Sequence, residues 1–432
     1  MNNSTVSPRQ VTLLLACLQA DGTVDSGQLE HISFLEWQSM VDLARVQGVL
    51  PIICYRLKEK NMREIVPAEI WQQITRKYRR TTLRNMKLLR ELHRIVKALD
   101  EAEIPVVALK GAYLSSIVYP DMGLRSMSDL DLLIPSGDVL RAAAIVEAQG
   151  YQFTREIDSH DVEFLHLHHL PQMVKEGGLR VEIHGRLTRQ DEPWDCDPQI
   201  WWQEVQTVEI NGLAVKVLSP IDLVLHLCIH ISYNHRFSID LKHYYDLVVL
   251  LQFMSTDLDW DKLIKRAYLH GWGEGVLMVF KIAQSLFNLA LPEEFTDRLD
   301  PGESYKKFID FALIEMWKSP DKNNTFFSRE VAEFQFQTGI WAKIDYMRQR
   351  IFIPKGLMAQ KYPVPVSSLR IYFYYIVRVK DLFCRHLQSL RQMSEGDNAR
   401  ITEATRKYEL WHWLNGDRNK ISPDCSEKSS TV

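Results

Sequence analysis

Residues 105–135 read PVVALKGAYLSSIVYPDMGLRSMSDLDLLIP: a strand, a Lys-Gly turn, a helix and an Asp-Leu-Asp strand in succession. Val106 to Leu109 is apolar and β-branched between Pro105 and Gly111, which predicts a short buried strand running into a turn. The turn delivers Lys110 and the Gly111 amide to a helix expected over Ala112 to Val118, where free N–H groups and a lysine suit a chain of phosphates. Lys-Gly alone says little; the second half says more. Asp129 and Asp131 stand two apart in the apolar run of Leu130, Leu132, Leu133 and Ile134, and strand periodicity sends both carboxylates to one face. Two carboxylates on one face of a buried strand repel unless they reach solvent or a cation sits between them. Magnesium, a hard ion that takes oxygen ligands, fits that place.

Such a site needs a further carboxylate to complete the metal cage or take a proton from an attacking hydroxyl. Glu182 answers that need within LRVEIHGRL (179–187), where alternation puts Glu182 and His184 on one face and Val181 and Ile183 on the other. A hairpin partner lies upstream in FLHLHHLPQMV, with Glu176-Gly177-Gly178 as the turn. A purely structural reading makes Asp129 a cap at the strand entrance and Asp131 a solvated edge residue; the Lys-Gly turn and Glu182, in order, favour the metal. Arg125 either neutralises phosphate or pairs with Asp129 or Asp131. His184 either orients a carboxylate, contacts phosphate or supports the core.

Leu109-Lys110-Gly111, Tyr119-Pro120, Arg125, Asp129-Leu130-Asp131-Leu132-Leu133 and Glu182-Ile183-His184 together resemble an uncharacterised bacterial nucleotidyltransferase-like family of the DNA polymerase beta nucleotidyltransferase superfamily. The resemblance runs from roughly residue 30, through Glu36-Trp37 and Ala44 to Val49, past Ser219-Pro220-Ile221-Asp222, to about residue 380. It implies catalytic and metal-holding roles for Asp129, Asp131 and Glu182 around two Mg2+ ions, with Mn2+ as a substitute. It also implies nucleotide binding by Lys110, Gly111, Arg125 and His184. The expected reaction moves a nucleoside monophosphate from a nucleoside triphosphate such as ATP to an acceptor, a small molecule, a protein or RNA, releasing pyrophosphate. Ala112 stands where many active members carry serine, which leaves a non-catalytic nucleotide-binding or regulatory module as the alternative.

A formal net charge of −3 gives no global case for nucleic-acid binding, although local basic patches are compatible with it. The six cysteines lack CxxC spacing, which argues against a zinc ribbon and, with no disulfide framework evident, fits a reducing cytoplasm. No membrane span is expected, because VTLLLACL is too short to cross a bilayer.

The fold expected is α+β: a small mixed sheet forming a nucleotidyltransferase core, flanked by helical regions. The divisions are a helical region over 1–100, a catalytic domain over 101–217, a helical domain over 218–300, a mainly helical region over 301–415 and a disordered tail over 416–432. Two histidine groups invite a zinc reading, His166 with His168 and His169, and His226 with His230. Neither has a cysteine pair or an HExxH pattern, so packing and hydrogen bonding are the expected roles. RIYFYYIVR (370–378) suits binding of a nucleic acid or a membrane surface, but a buried helix with charged ends explains it equally well and more simply, and Trp201-Trp202 read as packing residues.

Overall fold

The computed structural model describes residues 6–416 except 22, 25, 156–168, 189–191, 255–257, 297–302, 318–339, 354, 356–357, 359–361, 363, 365–367 and 382–397. His166, His168 and nearly all of the expected tail lie outside the described residues. The chain is α+β and forms two compact units: Met1–Ile157 with Asp161–Lys318, and Ser319–Val432 with Asp158–His160.

The first unit is built on a seven-stranded mixed sheet. In chain order its strands are β1 (Val107–Ala108), β2 (Leu130–Leu133), β3 (Tyr151–Phe153), β4 (Met173–Lys175), β5 (Leu179–His184), β6 (Gln206–Ile210) and β7 (Leu213–Val217). They lie in the order β3-β4-β5-β2-β1-β7-β6. Parallel pairing of β2 with β5 sets Asp131 beside Glu182 and Leu133 beside His184. β4 and β5 form the expected hairpin. Its turn needs two residues at positive φ, +83° at Gly177 and +73° at Gly178, a conformation that side chains resist.

One sheet face is sealed by apolar side chains. Leu130, Leu132, Val181 and Ile183 pack with Val139, Ala142 and Val146 of the Val139–Ala148 helix and with Leu88, Leu92, Ile95 and Leu99 of the Ala68–Glu101 helix. That long helix spans 34 residues, or about 51 Å at the α-helical rise. Its apolar stripe at three- and four-residue spacing is what the sheet covers. Farther toward its N-terminus it holds the loop before β2 by polar contacts. Asn85, fully buried, donates to the carbonyls of Met122 and Arg125 and accepts from the Met127 amide. Arg84 donates to the carbonyls of Met127 and Ser128.

The helix expected after the Lys-Gly turn begins as α over Gly111–Tyr113 and widens to a π-helical turn over Leu114–Val118. The Pro220–Ile229 helix likewise runs into a π turn over His230–Asn234. Ser219 caps the former by accepting from the Asp222 amide, with Pro220 at its first turn. Leu241–Met254, Trp260–Leu269 and Gly273–Phe287 complete this helical wall. Trp201 is buried there and stacks on Trp272, centroids 5.5 Å apart.

In the second unit, residues 371–381 are helical and Ile371 is buried with Met358, Tyr362 and Val364. The expectation of a buried helix over 370–378 is corrected in part: Tyr372, Phe373 and Ile376 are exposed.

Candidate active site

The sheet face opposite Val181 and Ile183 is left open and forms the floor of a cavity of about 490 Å³. Lys110, Gly111, Arg125, Asp129, Asp131, Glu182 and His184 all line it, brought together from β1, β2 and β5 and the segments that follow or precede them. Strand geometry explains the convergence. Register partners on parallel strands project side chains to the same face, so the Asp131–Glu182 pair sets two carboxylates side by side, and the period of two adds Asp129 and His184.

The tightest group is Asp131, Glu182 and His184, whose ligand atoms lie within 4.8 Å of one another. His184 Nε2 is 3.0 Å from Asp131 Oδ1 and 3.8 Å from Glu182 Oε2. Asp129 joins them through Gln172, whose Nε2 donates to Glu182 Oε1 at 2.7 Å and reaches Asp129 Oδ2 at 3.5 Å. Ser128 Oγ donates to the other oxygen of Asp129.

Charge is unevenly shared in this cluster. Burial opposes ionisation of Asp131, but Lys110 and His184 outweigh it and hold the carboxyl well below the usual carboxylate range. Asp129 goes the other way: burial raises it, and the neighbouring charges of Asp131 and Glu182 raise it further. Three carboxylates converging on one pocket floor therefore leave negative charge incompletely balanced by protein.

Lys110 is held in a costly backbone conformation, φ +34° and ψ −97°. A non-glycine residue there stores about 1–3 kcal/mol. Its Nζ lies 3.2 Å from His230 Nδ1, and since an ammonium only donates, the proton on this imidazole sits on Nε2. The His230 ring also packs against those of His235 and His243, with centroids 4.4 and 5.4 Å away. Burial, then the charges of Lys110 and its histidine neighbours, pushes His230 well below its ordinary range. Burial and His243 bring His235 down to about 4. The back wall of the cavity thus gathers three histidine rings beside Lys110, with Arg236 and Lys242 also on the lining. His226 is directed elsewhere, its ring 6.4 Å from that of Trp201.

Arg125 pairs with neither Asp129 nor Asp131. Its Nε and Nη2 donate to the two oxygens of Asp246 at 2.9 Å each, and Tyr119 Oη donates to Oδ1 of the same carboxylate. Asp246 is fully buried and lies in the Leu241–Met254 helix, so the triad fastens the turn-bearing segment to the helical wall.

A profile for a family described as an uncharacterised nucleotidyltransferase matches residues 34–288, more than half of the 432-residue chain. The chain belongs to that family. The solution structure of the antibiotic-resistance factor ANT(2'')-Ia is similar at 15% identity, covering 43% of this chain and 92% of that one, with a TM-score of 0.31. The crystal structure of ANT(2")-Ia in complex with adenylyl-2"-tobramycin is similar at 17% identity, covering 42% and 95%, with a TM-score of 0.30. A search of curated proteins finds no match.

In this chain, Gln172, the His230–His235–His243 wall and Asp246 have no signal in the local motifs. Gln172 sits on the hairpin just before β4, where a polar residue facing the pocket floor was findable only once the β4–β5 register was known. Gly111 is fixed by crowding. A Cβ there would stand 2.9 Å from Arg125 Nη1 and 3.2 Å from Met127 Cγ and Sδ. Because Asp246 pins Arg125, the clash has no easy relief, and Gly111→Ala is expected to cost about 1–3 kcal/mol. The urea midpoint of the variant measures this; an unchanged midpoint would show that the turn yields.

Proposed function

We propose that this cavity transfers a nucleoside monophosphate from a nucleoside triphosphate to an acceptor hydroxyl or phosphate. The observation that carries the reading is the parallel register of β2 and β5, which sets Asp131 against Glu182 on the cavity floor with Asp129 and His184 on the same face. The donor set fits a hard divalent cation: Asp131 and Glu182 offer oxygens, Asp129 follows on the same face, and burial, then the neighbouring carboxylates, raises Asp129. Mg2+ or Mn2+, two ions in all, would be held by Asp129, Asp131 and Glu182 and would neutralise charge developing on the transferred phosphoryl group.

The chain's own residues do the rest. His184, hydrogen-bonded to Asp131, orients that carboxylate. Lys110, with the Gly111 amide and Arg125 beside it, neutralises the phosphates that leave. The acceptor oxygen bonds the α-phosphorus as the α–β anhydride bond breaks, its proton passes to the Glu182 carboxylate, and pyrophosphate departs.

Calorimetry with MgATP, and with the other nucleoside triphosphates in turn, tests the site. Asp129→Asn combined with Asp131→Asn should abolish metal-dependent nucleotide binding without changing the melting temperature by more than a few degrees; unchanged affinity would overturn the assignment. Ala112 after the glycine favours a second reading, a module that binds nucleotide without transferring it. Incubation with each α-labelled triphosphate and a cell extract separates the two, since label on any acceptor removes the second.

A further inference from the structure

A second cavity, about 740 Å³, shares Ser126, Met127, Ser128 and Lys242 with the first. Of the twelve described residues that line it, six are basic: Arg45, Arg76, Lys77, Arg80, Arg84 and Lys242. None is acidic and none aromatic. Arg76, Arg80 and Arg84 recur every four residues along the Ala68–Glu101 helix, a stripe spanning about 12 Å at the helical rise. Arg45 has a partner in Asp42, and Arg84 is turned onto the carbonyls of Met127, Ser128 and Gly178. Among the described residues, Arg76, Lys77, Arg80 and Lys242 make no ion pair. Burial, then the charges of Lys242, Arg45, Arg84 and Arg80, pushes the Lys77 ammonium down.

Like charges are not gathered at this density for stability. Each neighbour raises the cost of the others, and an exposed helix face gains by alternating signs. A chain with a net charge of −3 has carboxylates to spare, yet none lines this groove. A single phosphate monoester, with about two negative charges, would balance under half of the six cations. A run of phosphates matches them. The missing aromatic surface argues for contact with a phosphate backbone and against base stacking.

The geometry points to this groove as the acceptor subsite, holding the phosphates of a single-stranded nucleic acid whose end enters the adjoining cavity. The assignment rests on the proposed transfer activity for the word acceptor, but the binding it describes is measurable without that activity.

The test is fluorescence anisotropy of the full chain with a labelled 12-nucleotide oligouridylate, in EDTA so that no transfer occurs. Wild-type protein should bind with affinity that falls steeply with salt. Arg76→Glu combined with Arg80→Glu should weaken binding by roughly tenfold or more and reduce the slope of log affinity against log salt by about 1.4, from two lost contacts on a single strand. Both positions are exposed, so the fold should be unaffected, as a melting curve checks. Because binding is read in EDTA without nucleoside triphosphate, and MgATP affinity is measured separately by calorimetry, failure of the groove stays distinct from failure of the catalytic reading. Equal affinity of wild type and the double variant overturns the assignment. So does binding of inorganic tripolyphosphate by a protein that ignores the oligonucleotide, which would give the groove to a small oligophosphate.

Discussion

Glu182→Gln is expected to lower the rate of nucleotidyl transfer by on the order of a thousandfold while leaving the fold intact. The substitution keeps the volume of the side chain and the strand position opposite Asp131. The new amide oxygen still accepts from Gln172 Nε2, which now donates to Glu182 Oε1 at 2.7 Å. What disappears is one negative charge on the cavity floor and the carboxylate assigned to take the acceptor's proton. Both losses act on the transition state more than on ground-state binding, so the rate should fall more than the affinity for nucleotide. Pyrophosphate release from each triphosphate, with extract supplying acceptor, measures it. A rate within a few-fold of wild type would make Glu182 a strand residue with no chemical part.

The same floor predicts a cost in the metal-free protein. Asp129 has a folded pKa raised above its unfolded value, first by burial and then by Asp131 and Glu182. Between the two values the folded state binds more protons than the unfolded one, so stability falls as pH rises through that window and stays lowered above it. Asp129→Asn removes the penalty and should raise the melting temperature of metal-free protein at neutral pH, with no gain at pH 3. The opposing signs of the stability and activity changes would mark a functional carboxylate.

Much of the sheet's centre was legible because it depends on local alternation. The Val-rich run before Lys110, the Asp-Leu-Asp strand, the Gly-Gly hairpin and the Glu182–His184 strand are each decided by residues within a few positions of one another. The pairing of β2 with β5 was not, since a parallel register is fixed by helix and hairpin packing about 50 residues apart. Arg125 shows the limit most plainly. Read locally, its candidate partners are Asp129 and Asp131 on the strand that follows; in the fold, its partner comes from Asp246 on a helix 121 residues later. The basic groove was hidden for a related reason. Arg76, Arg80 and Arg84 share a helix face, but the charge balance of the whole chain averages them away.

Asp246→Ala should destabilise the first unit by about 3–5 kcal/mol, the largest stability loss expected of any single change discussed. Asp246 is 0% and Arg125 6% exposed at the side chain, and both guanidinium contacts are 2.9 Å. Removing the carboxylate strands a buried guanidinium and leaves Tyr119 Oη without its acceptor, two desolvation penalties at once. The damage should also reach the cavity, because Arg125 stands against Gly111 and Asp246 is what holds it there. Urea unfolding gives the free energy, and MgATP calorimetry gives the consequence for the site. A paired replacement, Arg125→Met with Asp246→Leu, discriminates between roles. If the triad serves stability alone, the apolar pair should recover most of the loss and nucleotide binding should return with it. If Arg125 also neutralises phosphate, stability should return while nucleotide affinity stays low, and that split is the outcome expected from its place in the cavity lining.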